Sequence, residues 1–291
     1  MGPGPGRRPA GGAVELLTNP ALARLHPTGD HPERQERLLR LGGVTVERTA
    51  TDVQLARVHT LGHLEFLRAI DRPLLFDGDS IATETSWEAA VLAAGVCLEA
   101  VDRSGFALVR PPGHHALADR AMGFCMVNNV AVAARYAQAE LGLERIAIVD
   151  YDVHHGNGTE AIFRGDDSVL FVSLHQWPFY PGTGGPRTSD ETTLNVPLPA
   201  GSGDEEYRAA FTELVEPSVR DFAPDLLLVS AGFDAHAEDP LGQMELSAAG
   251  FRELSQRCAG LAPRLAAVLE GGYNLATLPR LVAAAQEGFS A

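Results

Sequence analysis

The segment IAIVDYDVHHGNGTE (residues 146–160) indicates the fold of this chain and contains several of its candidate functional residues. Its first four residues are apolar and mostly β-branched, which is typical of a strand buried on both faces of a parallel sheet. A second apolar run, LLLV (226–229), precedes SAGFD (230–234). Functional groups in open α/β sheets collect at the carboxyl ends of such strands. The two segments therefore predict a site to which two strand ends contribute.

Three of the residues that follow these strands are possible metal ligands. Asp152 and His154 are two positions apart, so in an extended segment their side chains project to the same side. Asp234 could complete a carboxylate–imidazole–carboxylate set, and three protein ligands with one open position are how a catalytic divalent metal is held. An acidic strand end in a solvated loop explains Asp152 and His154 equally well when those two residues are considered alone.

Two adjacent histidines follow another strand-like run. The segment RPPGHHA (110–116) comes after FALV (106–109). Adjacent histidines at a strand end are rarely core residues, because imidazole needs partners on both nitrogens. Asp150 and Asn157, which flank the possible metal ligands, could accept hydrogen bonds from the two adjacent histidines.

A tyrosine follows a fourth run. EGGYN (270–274) comes after LAAVL (265–269), and its paired glycines allow a close backbone approach and let Tyr273 point inward. Metal ligands, two acid/base histidines and a phenol are the groups that metal-assisted hydrolysis requires.

These residues belong to a larger set of motifs by which the chain resembles the zinc-dependent histone deacetylase superfamily. The resemblance is to its bacterial class II-like branch, the histone deacetylase-like amidohydrolases. The motifs occur in family order, with family-like spacing, from about His31 to the C-terminus. They are HPERQERL (31–38), RVHTLGHLEFL (57–67), RPPGHHA (110–116), GFCMVNN (123–129), DYDVHHGNGTE (150–160), VSLH (172–175), PGTG (181–184), SAGFDAH (230–236) and EGGYN (270–274). The resemblance implies an enzyme that removes acetyl or related acyl groups from lysine side chains of peptides or proteins.

The alternation of strand-like and helical segments predicts an α/β fold with a mostly parallel sheet and helices on both faces. The strand-like runs are 106–110, 145–151, 168–174, 225–231 and 264–269, and the helical stretches are 85–102, 128–141, 204–221, 247–261 and 275–288. The resemblance implies the arginase/deacetylase fold, with an eight-stranded sheet and long loops at the strand ends. We expect residues 13–291 to form one catalytic domain, in which 18–68 is a helical segment at the active-site mouth. Residues 1–12 are expected to be a flexible tail.

The resemblance implies that Asp152, His154 and Asp234 bind Zn²⁺, although a site with two carboxylates also accepts Fe²⁺ or Co²⁺. It further implies that Tyr273 donates a hydrogen bond to the oxyanion of the tetrahedral intermediate.

The two histidines are expected to have different roles in catalysis. By resemblance, His115 is the general base and then the general acid, whereas His114 is an electrostatic partner held cationic by Asp150. A carboxylate partner raises the pKa of an imidazole, whereas an amide partner such as Asn157 leaves it lower.

Several residues are expected to contact the substrate. Phe124 and Tyr180 match the two aromatic positions that flank the acetyl-lysine tunnel of the family, and the second position is commonly phenylalanine. The resemblance also assigns Gly123 and Gly272 to substrate-binding segments. Asp79 is expected at the rim, where its carboxylate would hold a backbone N–H of the substrate.

Leu241 lies where acetylpolyamine deacetylases of the family carry a gatekeeping glutamate. An apolar side chain does not pair with a second ammonium group, so this residue argues against a polyamine specialist. A small acylated amine remains an alternative substrate, and a non-catalytic acyl-lysine binding module is a third reading.

Monovalent cations, K⁺ or Na⁺, are also implied by the resemblance. The match covers Asp150, Asp152, His154, Ser173 and Leu174 at a first site. Phe163 and Val169 fit a second site, where Asp166 replaces the usual small hydroxyl residue.

Charge and cysteine content narrow the choice of partner and compartment. The net charge of −15 disfavours nucleic-acid binding and suits a cationic peptide or amine. No apolar run reaches the length of a membrane span. Three widely spaced cysteines indicate reduced thiols in a cytoplasmic protein. All 23 basic residues are arginine, which favours a bacterial source with a GC-rich genome. The oligomeric state is left open.

Overall fold

An eight-stranded sheet organises residues 13–291, which this computed structural model describes; the tail predicted for residues 1–12 lies outside them. All pairs in this sheet are parallel. Its strands are β1 (Leu16–Thr18), β2 (Val44–Thr45), β5 (Phe106–Ala107), β6 (Ile146–Asp150), β7 (Val169–Gln176), β8 (Thr193–Leu198), β9 (Leu226–Ala231) and β10 (Leu265–Leu269), in the order β2–β1–β5–β10–β9–β6–β7–β8. Strands β3 (Leu74–Leu75) and β4 (Ile81–Ala82) form a separate antiparallel ribbon. The predicted eight-stranded parallel sheet is confirmed.

Helices pack around this sheet in two groups. The helices are α1 (Leu22–Leu25), α2 (Glu36–Leu39), α3 (Asp52–Leu55), α4 (Leu61–Arg68), α5 (Ser86–Arg103), α6 (Asn129–Leu141), α7 (Asn157–Phe163), α8 (Asp204–Ala210), α9 (Glu216–Phe222), α10 (Ala248–Ala259) and α11 (Leu278–Phe289). Helix α5 packs with α6, and α10 packs with α11 and α8. Every residue of β6, β7, β9 and β10 is buried, as expected for strands covered on both faces.

The carboxyl ends of the central strands lie next to one another at one end of the sheet. Asp150, the last residue of β6, lies opposite Ser173 of β7 and Ser230 of β9. Strand β9 in turn pairs with β10, where Leu269 lies opposite Ala231. The loops after β6, β9 and β10 therefore leave the sheet side by side, which brings their polar residues together.

The N-terminal segment is less helical than predicted. Thr18 ends β1, and Val44–Thr45 forms β2, so part of the segment extends the sheet beyond β5 instead of forming helix. Its four helices span four to eight residues each. Short extended pieces of this kind carry too little periodicity to be recognised from sequence.

Two further differences follow from proline. The continuous helix predicted over 204–221 is interrupted by a π-helical turn at Phe211–Val215, just before Pro217, which has no N–H to donate to a helical hydrogen bond. Strand β8 was not predicted and contains Pro197. It lies at the edge of the sheet, where a missing donor is tolerated.

Candidate active site

Asp152, His154 and Asp234 converge beyond the ends of β6 and β9. One ligand atom from each residue lies within 4.8 Å of the others. His154 Nδ1 is 3.1 Å from Asp152 Oδ1 and 3.2 Å from Asp234 Oδ2. The carboxylates are held by backbone donors, because Gly271 N donates to Asp152 Oδ2 at 2.8 Å and Val153 N donates to Asp234 Oδ1 at 2.9 Å.

This cluster suits a divalent cation. Asp234 Oδ2 is buried and, among the described residues, has no hydrogen-bond partner of good geometry. Burial, and then the Asp152 carboxylate, raise the pKa of Asp234, because two buried negative charges repel each other. A Cβ at Gly271 would overlap both carboxylates, so glycine is required for this close approach. A cation bound between the carboxylates would relieve their repulsion and supply the missing partner.

The two histidines differ in their partners. His114 Nδ1 lies 2.8 Å from Asp150 Oδ2, and His115 Nδ1 lies 2.7 Å from Asn157 Oδ1. Burial opposes charge on His114, but the Asp150 and Asp152 carboxylates outweigh it and hold the pKa of His114 well above its usual value. Burial, and then the cationic His114 ring 4.1 Å away, hold the pKa of His115 well below its usual value. The pair therefore combines one charged imidazole with one neutral imidazole.

Glu270 supports the histidine loop from β10. Its Oε2 accepts hydrogen bonds from Gly113 N at 2.6 Å and from His114 N at 3.2 Å. It is fully buried, and burial is the main cause that raises its pKa to about 7. The sequence motif EGGYN contained this residue, but its contact with the histidine loop spans 156 positions and was not predicted.

The candidate catalytic groups open into one cavity of about 350 Å³. Of the predicted residues, His115, His154, Tyr273, Gly123, Phe124, Tyr180, Leu241 and Asp79 line it, and Asp77, Ser80, Phe179, Pro240, Gly242 and Gln243 line it in addition. Gly272, which was also predicted to contact substrate, does not line this cavity, and a Cβ there would meet Phe233 and Leu278. The structure thus brings most of the predicted substrate contacts to the same opening.

The cavity walls are aromatic. Phe124 meets Tyr273 edge-on, with ring centroids 5.8 Å apart, and Tyr180 meets His115 edge-on at 5.3 Å. Phe179, from the 176–192 loop whose aromatic residues the sequence indicates as a channel rim, stacks on His154 at 5.3 Å. Phe124 has a φ of 68°, and a Cβ at the preceding Gly123 would overlap the His115 ring. A residue held in this sparsely populated region is a mark of functional sites.

The mouth of the cavity is acidic. Asp77 Oδ2 accepts a hydrogen bond from Gly123 N at 2.8 Å and lies 3.4 Å from the Tyr180 hydroxyl. Asp79, whose side chain is 72% exposed, lies 3.3 Å from His31. Asp79 was predicted at the rim and Asp77 was not, although both belong to the turn of the β3–β4 ribbon.

Arg37, from α2, supports Tyr273 from behind. Its Nε donates to Gly272 O at 2.8 Å, its Nη2 donates to Glu270 O, and its guanidinium carbon lies 4.8 Å from the Tyr273 ring centroid. Burial is the main cause that raises the pKa of Tyr273 well above its usual value, so the phenol keeps its proton. HPERQERL contains Arg37, but local spacing carries no signal for a contact 235 residues away.

The residues matched to monovalent cations have two different environments. Asp150 and Ser173 lie side by side on β6 and β7, close to Asp152 and His154 and to Leu174. Phe163 and Val169 end α7 and begin β7. Asp166, which lies between these two residues in the sequence, pairs with Arg135 at 2.7 Å, and the Arg135 guanidinium lies over the Phe163 ring at 4.7 Å. This guanidinium already supplies positive charge at the second location.

Comparisons with known proteins agree with this geometry. The histone deacetylase domain family matches residues 22–289. The chain is 44% identical to "Histone deacetylase 10, chloroplastic" of Oryza sativa subsp. japonica over 259 residues, which cover 79% of this chain and 58% of that protein. It is 39% identical to "Histone deacetylase-like amidohydrolase" of Pseudomonas aeruginosa, covering 93% of this chain and 77% of that protein. The crystal structure of the HDA15 HD domain superposes with a TM-score of 0.89 at 36% identity, covering 97% of this chain and 89% of that one.

The chain therefore belongs to the histone deacetylase family, and the arginase/deacetylase fold implied by the sequence is confirmed. It spans about three fifths of the length of two of the curated plant relatives that it matches, 58% and 63%. Within the described residues, no helix combines the length and the apolar content needed to cross a membrane.

Proposed function

We propose that this chain is a metal-dependent amidohydrolase that removes acetyl or related acyl groups from lysine side chains. The observation that carries the proposal is that His115, His154 and Tyr273 line the base of one cavity whose walls include Phe124 and Tyr180. An aromatic passage suits the aliphatic stem of an acyl-lysine, and groups at its base suit attack on the amide.

Each group has one role in this reaction. His115, neutral and bonded through Nδ1 to Asn157, takes a proton from the attacking water through Nε2 and later gives it to the leaving amine. His114, charged beside Asp150, stabilises the negative charge that develops. Tyr273 donates its hydroxyl proton to a hydrogen bond with the oxyanion.

Asp152, His154 and Asp234 would hold the metal, and Zn²⁺ is the cation proposed, with Fe²⁺ or Co²⁺ as alternatives. A bound cation of this kind supplies Lewis acidity to the scissile carbonyl and lowers the pKa of the attacking water. We further propose a K⁺ or Na⁺ ion near Asp150, Ser173 and Leu174.

A small acylated amine is the second candidate substrate. The carboxylates of Asp77 and Asp79 at the cavity, together with the net charge of −15, favour a cationic substrate but do not distinguish a peptide from a free amine. Leu241 at the same cavity argues against polyamines in particular. The three cysteines are unpaired and buried, which supports the proposed cytoplasmic location.

The test is hydrolysis of a fluorogenic acetyl-lysine peptide by chelator-treated protein reloaded with Zn²⁺, Fe²⁺ or Co²⁺. A panel of acyl chains on peptides and free amines, assayed with one metal-loaded preparation, then identifies the substrate class. The matched control is Tyr273→Phe at equal metal content, which should lower kcat by about 10²–10³ because one oxyanion donor is lost. Undiminished hydrolysis without metal, or none with any of the three, would contradict the proposal.

A further inference from the structure

Asp239 bridges two loops that both contribute residues to the cavity. Its Oδ2 accepts hydrogen bonds from Tyr273 N at 2.7 Å and from Asn274 N at 3.1 Å. Its Oδ1 accepts a hydrogen bond from Leu241 N at 3.0 Å. Residue Asp239 is only 8% exposed. One buried carboxylate therefore ties the backbone of the proposed oxyanion donor to the backbone of the cavity wall.

The loop that follows Asp239 is also tied at its far end. Gln176, at the end of β7, accepts a hydrogen bond from Gln243 N at 3.0 Å and donates to Gln243 Oε1 at 2.9 Å. Residues 239–243 are thus fixed at both ends, so a change at Asp239 is transmitted to Leu241 and Tyr273 together.

A second, weaker tie joins the same two loops. Asn274 Nδ2 donates to Glu238 O at 2.7 Å. This bond uses only the backbone of Glu238, whose side chain pairs with Arg280 at 2.7 Å near the surface. Glu238 therefore offers a carboxylate next to Asp239 that holds neither Tyr273 nor Leu241.

We propose that Asp239 is a positioning residue, which rests on the proposed function: it sets the distance of the Tyr273 hydroxyl from the scissile carbonyl and fixes the Leu241 wall against the acyl-lysine. Asp239 acts through backbone N–H groups, and the cavity is lined by its neighbours Pro240 and Leu241. Hydrogen bonds from N–H groups to a carboxylate are short and strong, which suits a fixed anchor. Misplacement of a reacting group by about 1 Å can lower a rate by about 10²-fold.

The test is a double-mutant cycle of Asp239→Asn with Tyr273→Phe. An asparagine has one carbonyl oxygen, so it cannot accept the bonds of both loops. We expect Asp239→Asn to lower kcat by about 10- to 100-fold, with KM within about twofold and full metal content. In the Tyr273→Phe background the same change should lower kcat by less than about threefold, because the hydroxyl to be positioned is gone. Glu238→Gln, which removes a neighbouring charge, should leave kcat unchanged.

Equal losses of kcat in the two backgrounds would show that Asp239 does not act through Tyr273 and would overturn the proposal, as would wild-type kcat in Asp239→Asn. If Asp239→Asn does not fold, Asp239→Glu, which keeps the charge but displaces the carboxylate by one methylene, replaces it in the cycle, with an expected loss of about tenfold that disappears in Tyr273→Phe; an equal loss in both backgrounds overturns the proposal. A wild-type protein that hydrolyses no acyl-lysine would contradict the proposed function instead.

Discussion

The Glu33 carboxylate lies 2.8 Å from the Arg110 guanidinium, although both side chains are almost completely buried. A second arginine, Arg37, lies 3.2 Å from the same carboxylate. The three side chains connect the N-terminal segment to the strand ends, because Arg37 also binds the carbonyls beside Tyr273 and Arg110 begins the histidine loop. Protonation of Glu33 would remove the counter-charge of both arginines, so acid should weaken the contacts that support the candidate active site.

Acid should destabilise the protein through Glu33. Burial opposes ionisation, but Arg110, His26 and Arg37 outweigh it and lower the pKa of Glu33 to about 2. Because the folded pKa lies below the unfolded value of 4.5, this stabilisation is complete above pH 4.5 and is lost as the pH falls towards about 2.

Glu33→Gln should lower the free energy of unfolding at neutral pH by about 3–5 kcal/mol, because two buried arginines lose their counter-charge. Unfolding is measured with denaturant from pH 7 to pH 3, and the gap to wild type should narrow below pH 4.5. Glu65→Gln, the same change at an exposed residue, should alter stability by less than about 0.5 kcal/mol. A constant gap at all pH values would contradict this account.

Asp234→Ala should abolish tight metal binding and hydrolysis while leaving the sheet folded. The substitution removes one of the three converging residues proposed as ligands but lies at a strand end outside the hydrophobic core. Metal content by elemental analysis, together with the melting curve, measures both effects on one preparation. Stoichiometric zinc in a fully active variant would refute the ligand assignment.

His115→Ala should lower kcat more than His114→Ala, since in the proposed mechanism only His115 moves protons in both halves of the reaction. General acid–base assistance is typically worth about 10²–10⁴-fold, which sets the expected loss for His115→Ala. The two kcat values and their pH profiles are compared at equal metal content. Equal losses of kcat with an unchanged pH profile would contradict the separate roles proposed for His114 and His115.

Leu241→Glu should shift preference towards acetylated polyamines. A carboxylate at this cavity position could pair with a distal ammonium group, and such a pair is worth about 4 kcal/mol at an effective dielectric of about 20 before desolvation is subtracted. We therefore expect a gain of about tenfold in the ratio of acetylpolyamine to acetyl-lysine kcat/KM. Leu241→Met is the size-matched apolar control, and an unchanged ratio in Leu241→Glu would contradict the expected contact.

Much of the fold was predictable because its signals are local. Buried runs such as 146–149 and 226–229 have the continuous apolar character of central parallel strands, and both are strands in the structure. Strands β1, β2 and β8 were missed because two are very short and the third contains proline. Edge strands are stabilised mainly by the neighbour that they pair with, which is a property of the tertiary structure.

Sequence alone was enough to predict the family and the parallel sheet, which are confirmed, and to propose the residues of the site, since each motif keeps its polar residues within a few positions of one strand end. Only the tertiary structure showed which groups hold the site together. Asp239 contacts Tyr273 across 34 positions, Glu270 contacts His114 across 156, and Arg37 contacts Gly272 across 235. The first two contacts form because parallel strands that are distant in sequence end side by side, and the third forms because α2 lies against the loop after β10. Sequence periodicity carries no information about which distant segments meet in this way.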